Sequence, residues 1–433
     1  MEIEEITNTF LDLEKSENLF DIEVNGHHIW NYLRHEIVQD ICHELLSYNI
    51  ITQKEGRQTI KSITFQFIYF LKNYFLPIFN LKSISVKDME YILLNCSASK
   101  EVNGTYINPM TYPVAEILHK QFNIGVVDQH GLAKSMKHYP CPLIDLRPTY
   151  LRIILLSFIR KTRIDEKKFI ERIYLLILNN FNCKINKKKY FLLLKKRLLV
   201  ANQWQKILSN SNLKGIIYIQ NGTMDEIIKV ARINKVKTIE LQHSILSSLN
   251  TLYNYKSQNK NIYLNDYLLL WGDAWSKYSN KQVTNITIGS VNKFLDFHNN
   301  TKKKKTKNIL IIGSVKGRKQ LSNIALKLSE KLKDYKIYYK LRPEEYKYWK
   351  QVFPKNFKAS KNLTIIDNEK YTLEHYINKC SYVAGIESTV LFEAMFQGQT
   401  PLFIKDKMGW HKEYKDFYNS GIGHVVGGSK DII

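Results

Sequence analysis

The chain reads as an α/β protein: two Rossmann-like parallel-sheet domains facing a cleft, with a basic helical insertion in the N-terminal one. Three observations predict this. Strand-length apolar runs alternate with helix-length amphipathic segments, the pattern of βα units building parallel sheets covered by helices. The alternation breaks once, around Lys302–Lys305, and then restarts. Within the first series, a long basic stretch near 150–210 carries helical rather than strand-like character.

Taken in order, the first series places strands at Tyr91–Cys96, Ile124–Val127, Gly215–Ile219, Lys237–Leu241 and Tyr267–Leu270. Helices are expected at Tyr112–Gln121, over 150–210 and at Met224–Asn234. After the lysine linker come strands Asn308–Ile312, Lys336–Lys340, Thr364–Ile366, Ser381–Ala384 and Pro401–Ile404. Helices Lys319–Leu332, Glu344–Gln351, Leu373–Lys379 and Thr389–Gln397 fall between them. The expected divisions are a helical region at 1–90, a first Rossmann-like domain at 91–290 and a second at 308–433. The end of the sequence, Gly427–Ile433, falls where a further βα-like unit begins, which suits truncation of a longer protein.

Composition narrows the function classes. Of 433 residues 44% are apolar and 12% aromatic, enough for packed cores and against disorder or a collagen-like chain. No run approaches the ~18 uninterrupted apolar residues of a membrane-spanning helix. The acidic start MEIEEITNTF lacks the apolar region of a signal peptide. Cys42, Cys96, Cys141, Cys183 and Cys380 are widely spaced without a CxxC pair, which argues against zinc and a disulfide scaffold and suits a reducing cytoplasm.

The net charge of +24 is concentrated: Arg160–Arg197 holds 13 Lys/Arg against 3 Asp/Glu, interleaved with apolar runs. Together with the aromatic stretch inside 65–82, this pattern fits interfacial elements meeting an anionic membrane surface. A solvated basic face on an ordinary core helix is the plainer alternative. No zinc-finger or RNP-like motif accompanies the charge, so no nucleic-acid partner is expected.

The most informative segment is Cys380–Gly398. A strand ends at Ala384, Gly385 permits a tight turn, and Ser388 or Thr389 caps the next helix, where hydroxyls and free N–H groups suit a phosphate. Glu393 lies one turn further, placed for ribose hydroxyls. The corner also stands at the carboxyl end of a parallel strand, where ligands of such sheets bind. An ordinary N-cap with a solvated glutamate is the competing reading. The loop Gly313-Ser314…Arg318 lacks the GK[ST] ending of a Walker ATPase, but its glycines permit close approach to a diphosphate. Lys340 and Arg342, followed by Pro343, end another strand, and Arg suits bidentate phosphate contact.

In the first domain, polar strand ends offer candidates for a general base: Asp225 and Glu226 after Asn221-Gly222, Glu240 and His243, and the turn Asp128-Gln129-His130. His27, His28 and His35 have no metal-binding pattern, and neither a GxSxG elbow nor HExxH occurs.

Together Leu241-Gln-His-Ser244, Tyr339-Lys-Leu-Arg-Pro343 and Glu387-Ser-Thr-Val-Leu-Phe-Glu-Ala394 resemble GT-B glycosyltransferases of bacterial capsule and lipooligosaccharide, near sialyl-, polysialyl- and Kdo-transferases. Teichoic-acid glycerophosphate transferases are similar in the same places. Val24–Trp30 through Arg34 and Trp271–Trp275 resemble uncharacterised capsule-locus proteins. The resemblance implies a nucleotide-sugar donor held by Gly313, Ser314, Lys340, Arg342, Glu387, Ser388, Thr389 and Glu393. It further implies a first-domain base among Glu226, Asp225, Glu240 and His243. Arg342-Pro343 stands where the family has His-Pro, so a cation is retained and a titratable acid is not. The implied enzyme is metal-independent and needs no cofactor. It transfers to a lipid-linked or oligosaccharide acceptor and works peripherally on the inner face of the cytoplasmic membrane. Rival readings are a CDP-activated polyol-phosphate transferase and a non-catalytic scaffold of polysaccharide assembly.

Overall fold

The computed structural model describes residues 2–46, 86–95, 100–102, 105–128, 139–219, 224–291, 306–314, 317–386 and 388–432. Several expectations fall outside them: the aromatic stretch in 65–82, Lys302–Lys305, Asn221-Gly222, Gln129-His130 and Glu387. The chain divides into two compact units, Glu5–Lys293 and Phe294–Ile433, with Met1–Glu4 belonging to the latter. In that unit Ile3 N–H donates to the Met408 carbonyl and Lys412 pairs with Glu2.

The N-terminal unit begins inside helix α1 (Ile3–Ser16), from Glu5, and continues with α2 (Trp30–Leu45), the two joined through a two-stranded hairpin, β1 (Glu23–Val24) and β2 (His27–His28). Its turn is Asn25-Gly26, both at positive φ (55° and 74°), the conformation an Asn-Gly hairpin turn adopts readily. Trp30, Leu33, Ile37 and Ile41 recur at helical spacing and are buried, which is why α2 seats on the unit. Arg34 fastens it: Nε and Nη2 donate to both oxygens of buried Glu14 at 2.5 and 2.9 Å, and the guanidinium also reaches the Thr251 and Asn254 carbonyls.

A seven-stranded parallel sheet follows: β3 (Tyr91–Asn95), β6 (Ile124–Asp128), β7 (Leu143–Asp145), β8 (Gly215–Ile219), β9 (Lys237–Leu241), β10 (Tyr267–Leu270) and β11 (Thr284–Thr287). The hairpin β4 (Lys100–Val102)/β5 (Thr105–Ile107) and helix α3 (Thr111–Leu118) lie between β3 and β6. Spatial order is β11-β10-β9-β8-β3-β6-β7. Ile92–Leu94 and Ile216–Ile219 are buried without alternation, as strands covered on both faces must be. The basic insertion between β7 and β8 forms three helices, α4 (Arg147–Ile159), α5 (Ile164–Phe181) and α6 (Lys187–Leu208). The breaks have local causes: Arg160 is extended (ψ 122°), and Asn182 adopts the left-handed conformation (φ 50°). Helix α7 (Asp225–Ile233) connects β8 to β9.

In the C-terminal unit, β12 (Asn308–Ile312), α8 (Arg318–Lys331), β13 (Lys336–Lys340), β14 (Leu363–Ile366), α9 (Leu373–Lys379), β15 (Tyr382–Gly385), α10 (Val390–Phe396) and β16 (Thr400–Ile404) follow the expected series, and an unexpected strand, β17 (His424–Val426), is added after it. All pairings are parallel and the order is β14-β13-β12-β15-β16-β17. Numbered within the unit this is 3-2-1-4-5-6, the order of a Rossmann sheet. The same order recurs in the N-terminal sheet, with β11 added at its edge. Both Rossmann-like parallel sheets anticipated from the α/β alternation are therefore present. The expected helix Glu344–Gln351 is instead a 3₁₀ turn at Pro343–Glu345 and a single α-turn at Trp349–Val352. Glu345 turns its carboxylate back onto the Arg342 N–H at 3.3 Å, which closes the first turn.

Candidate active site

In a sheet of this order, neighbouring strands 1 and 4 send their connections to opposite faces, opening a crevice at their carboxyl ends. In the C-terminal unit those strands are β12 and β15. The loop after β12 approaches unusually closely. Gly313 N–H donates to the Lys340 carbonyl at 2.8 Å, and a Cβ at Gly313 would lie 2.8 Å from that oxygen. A Cβ at Gly317 would likewise fall well inside contact with Ile386, just beyond β15. Two glycines thus draw the ends of β12, β13 and β15 together.

Five of the predicted donor residues lie at these three strand ends: Gly313 and Ser314 after β12, Lys340 at the end of β13, and Ser388 and Thr389 after β15. Arg342 is two residues beyond Lys340 and exposed, while Ser314 is buried. The Gly313 amide is spent on β13, which makes this glycine a close-packing residue. Ser388 accepts from Val390 N–H at 3.2 Å through Oγ, and its own N–H donates to Tyr414 Oη at 2.7 Å. Thr389 already has helical dihedrals (φ −58°, ψ −23°) and makes no side-chain cap. Of the two hydroxyls proposed for capping, the one at Ser388 makes the bond. Glu393 is half-buried one turn into α10.

Burial lowers the Lys340 pKa, against the pull of Glu369 and Asp367, and its Nζ donates to Tyr346 Oη. Sequence reasoning missed the pair that braces the corner. Buried Glu345 accepts from Arg318 Nε and Nη2 at 2.9 and 2.7 Å. An Arg-Pro-x-Glu spacing with proline at the first helical position was the available signal. Nothing in sequence spacing pointed to Tyr414.

In the N-terminal sheet the corresponding strands are β3 and β8. Asp225 opens α7 beyond β8 and is buried. Burial, with Glu226 and Glu240 adding and Arg197 opposing, pushes its carboxyl up to about 8. Among the described residues no hydrogen bond reaches that carboxyl. Glu226 is ion-paired to Arg197 at 2.6 Å, both buried. Glu240 lies on β9 beside Tyr218 in register and accepts from Tyr253 Oη at 2.5 Å. His243 follows β9; burial pushes its imidazole down to about 4, and Nδ1 has no hydrogen-bond partner among the described residues. Gln242 holds the ends of β9 and β10 together, its N–H donating to the Leu269 carbonyl at 3.0 Å and its Oε1 accepting from Trp271 N–H at 2.8 Å. No group of acidic, histidine or cysteine residues suited to a metal occurs among the described residues.

No family model matches the chain, and no curated protein matches it. Solved structures do. UDP-GlcNAc 2-epimerase from Methanocaldococcus jannaschii is 12% identical with a TM-score of 0.46, covering 79% of this chain and 89% of its own. Acinetobacter baumannii MurG is 11% identical with a TM-score of 0.44, covering 78% and 85%. The calicheamicin glycosyltransferase CalG4 is 9% identical with a TM-score of 0.43, again covering 78% and 85%. At these values the fold assignment rests on the strand order and register described above.

Proposed function

We propose that the protein is a nucleotide-sugar-dependent glycosyltransferase of the GT-B class. It would transfer a sugar to a glycan hydroxyl in capsule or lipopolysaccharide synthesis, at the inner face of the cytoplasmic membrane. The observation that carries this reading is the strand order of the C-terminal sheet, with Lys340 and Arg342 following β13 and Ser388 and Thr389 following β15 at the carboxyl ends of the strands around its crevice position. Cations and hydroxyls at a Rossmann crevice match the charge that develops on a departing nucleotide phosphate. Arg342 stabilises that phosphate, Ser388 and Thr389 hold it, and Glu393 accepts from ribose hydroxyls. With the charge met by protein groups, neither metal nor other cofactor is required.

The attacking hydroxyl of a lipid-linked or oligosaccharide acceptor needs a base. Asp225 is assigned that role, because burial raises its carboxyl to about 8, nearer the working pH a base requires, and no hydrogen bond reaches it among the described residues. Glu226 and Glu240 already hold Arg197 and Tyr253. His243 at about 4 is a weaker acceptor of protons.

A panel of UDP-, CMP-, GDP- and CDP-linked donors, read by thermal shift and nucleotide release, tests the assignment. Arg342→Ala with Ser388→Ala should abolish donor turnover while leaving the melting temperature close to wild type. Unchanged turnover removes the donor site. Stabilisation by a CDP-polyol alone would redirect the activity to polyol-phosphate transfer, which needs the same cationic corner. No stabilisation by any nucleotide would leave a scaffold.

A further inference from the structure

We propose that the α4–α5 corner docks onto the anionic surface of a lipid bilayer. Helix α4 is apolar on two sides. Ile153 and Ser157 are buried, yet the opposite stripe Arg152, Leu155, Leu156 and Ile159 faces outward at i, i+3, i+4 and i+7. At the tip Phe158 is 67% exposed, Ile159 76% and Ile164 70%, with Leu155 at 51%. Single exposed apolar side chains are ordinary; with Leu156, five within ten residues form a patch.

The corner is braced in that posture. Arg160 donates to buried Glu166 at 2.5 and 3.1 Å, and Glu166 also accepts the Arg163 N–H at 3.1 Å. Arg163 is tied in turn to Asn25 at 2.5 Å. The apolar tip is therefore presented by a half-buried arginine paired to a buried glutamate rather than left loose.

Charge identifies the occupant. Arg152, Lys161, Lys167 and Lys168 are exposed and have no ion-pair partner among the described residues. Of the nearby acids, Glu166 is neutralised by Arg160 and Glu171 by Lys187, leaving exposed Asp165. The pattern continues along α5 through Lys168 and Arg172 to Leu175, bounding a shallow groove of about 620 Å³ with Ile164. Apolar side chains set among unpaired cations match acyl chains beneath phosphate headgroups. A protein partner of purely apolar character would leave those cations unanswered.

The inference deepens the membrane location proposed above, and stands apart from the donor reading because its test contains no nucleotide. The full chain is sedimented with mixed phosphatidylglycerol–phosphatidylcholine vesicles and with pure phosphatidylcholine vesicles, at low and high salt. Wild type should partition onto the mixed vesicles and release at high salt. Phe158→Asp with Ile159→Asp should lower partitioning about tenfold or more while leaving the melting temperature unchanged, because both side chains are already exposed. Lys161→Glu with Lys168→Glu should remove the preference for anionic vesicles. Equal binding to both vesicle types, or wild-type binding by the folded variants, overturns the proposal. So does a wild-type dimer that the Phe158/Ile159 variant dissolves, since that would give the patch to a second copy.

Discussion

The two sheets share a strand order but equip their crevices oppositely. The C-terminal corner exposes Arg342 after β13 and carries the Ser388 and Thr389 hydroxyls after β15, while its buried acid Glu345 is neutralised by Arg318. The N-terminal corner buries Asp225, Glu226 and Glu240, with Glu226 paired to Arg197 and Glu240 accepting from Tyr253. A shared strand order thus frames one corner with an exposed arginine and another whose acids are buried. Topology says where a ligand could sit; which ligand is decided by side chains that strand order does not determine.

The comparison breaks most readily at Arg197. Arg197→Ala leaves Glu226 buried without its partner and should cost about 3–5 kcal/mol in urea unfolding. A loss below about 1 kcal/mol would mean that the N-terminal charges are not structural. On the other side, Arg318→Ala strands Glu345 and should cost about 2–3 kcal/mol, less because Arg318 retains some solvent contact.

Acidity sharpens the contrast further. Asp225 has its folded pKa raised from 3.8 to about 8, so the stability it lends is complete below 3.8 and lost as pH rises through about 8. His27, His35 and His243 are each lowered from 6.5 to about 4, so theirs is complete above 6.5 and lost as pH falls toward 4. Wild-type stability should therefore peak near pH 6.5. Asp225→Asn should flatten the limb between pH 6.5 and 8, a change of about 1–2 kcal/mol, and leave a steeper acid limb. Parallel pH profiles for the two proteins would discount the raised carboxyl. The smallest effect is expected from Ser388→Ala alone, about 0.5–1 kcal/mol from the lost bond to Val390 N–H, read from the thermal midpoint.

Much of the fold was legible because buried parallel strands are continuous apolar runs. Asn308–Ile312 and Gly215–Ile219 match their strands residue for residue. Three edge or near-edge strands escaped: Leu143–Asp145 and His424–Val426 are three residues long, and Thr284–Thr287 is largely polar. Each takes its structure from a neighbour's hydrogen bonds rather than from its own pattern. At the sites, the residues flanking the crevices could be named because strand ends are visible in sequence. Their partners could not: Arg197 and Glu226 are 29 residues apart, and Ser388 and Tyr414 are 26. Such pairs are created by packing, and no local spacing encodes them.

Arg34 spans two parts of the chain more than two hundred residues apart, joining Glu14 to the carbonyls of Thr251 and Asn254 beneath the Tyr255 ring. A recombinant fragment trimmed to the sheet, starting beyond Leu45, would therefore expose those carbonyls and the apolar floor under α2 at once. Expression boundaries for this protein belong ahead of α1, and a protease that nicks the opening helices would undo the whole N-terminal unit rather than shorten it.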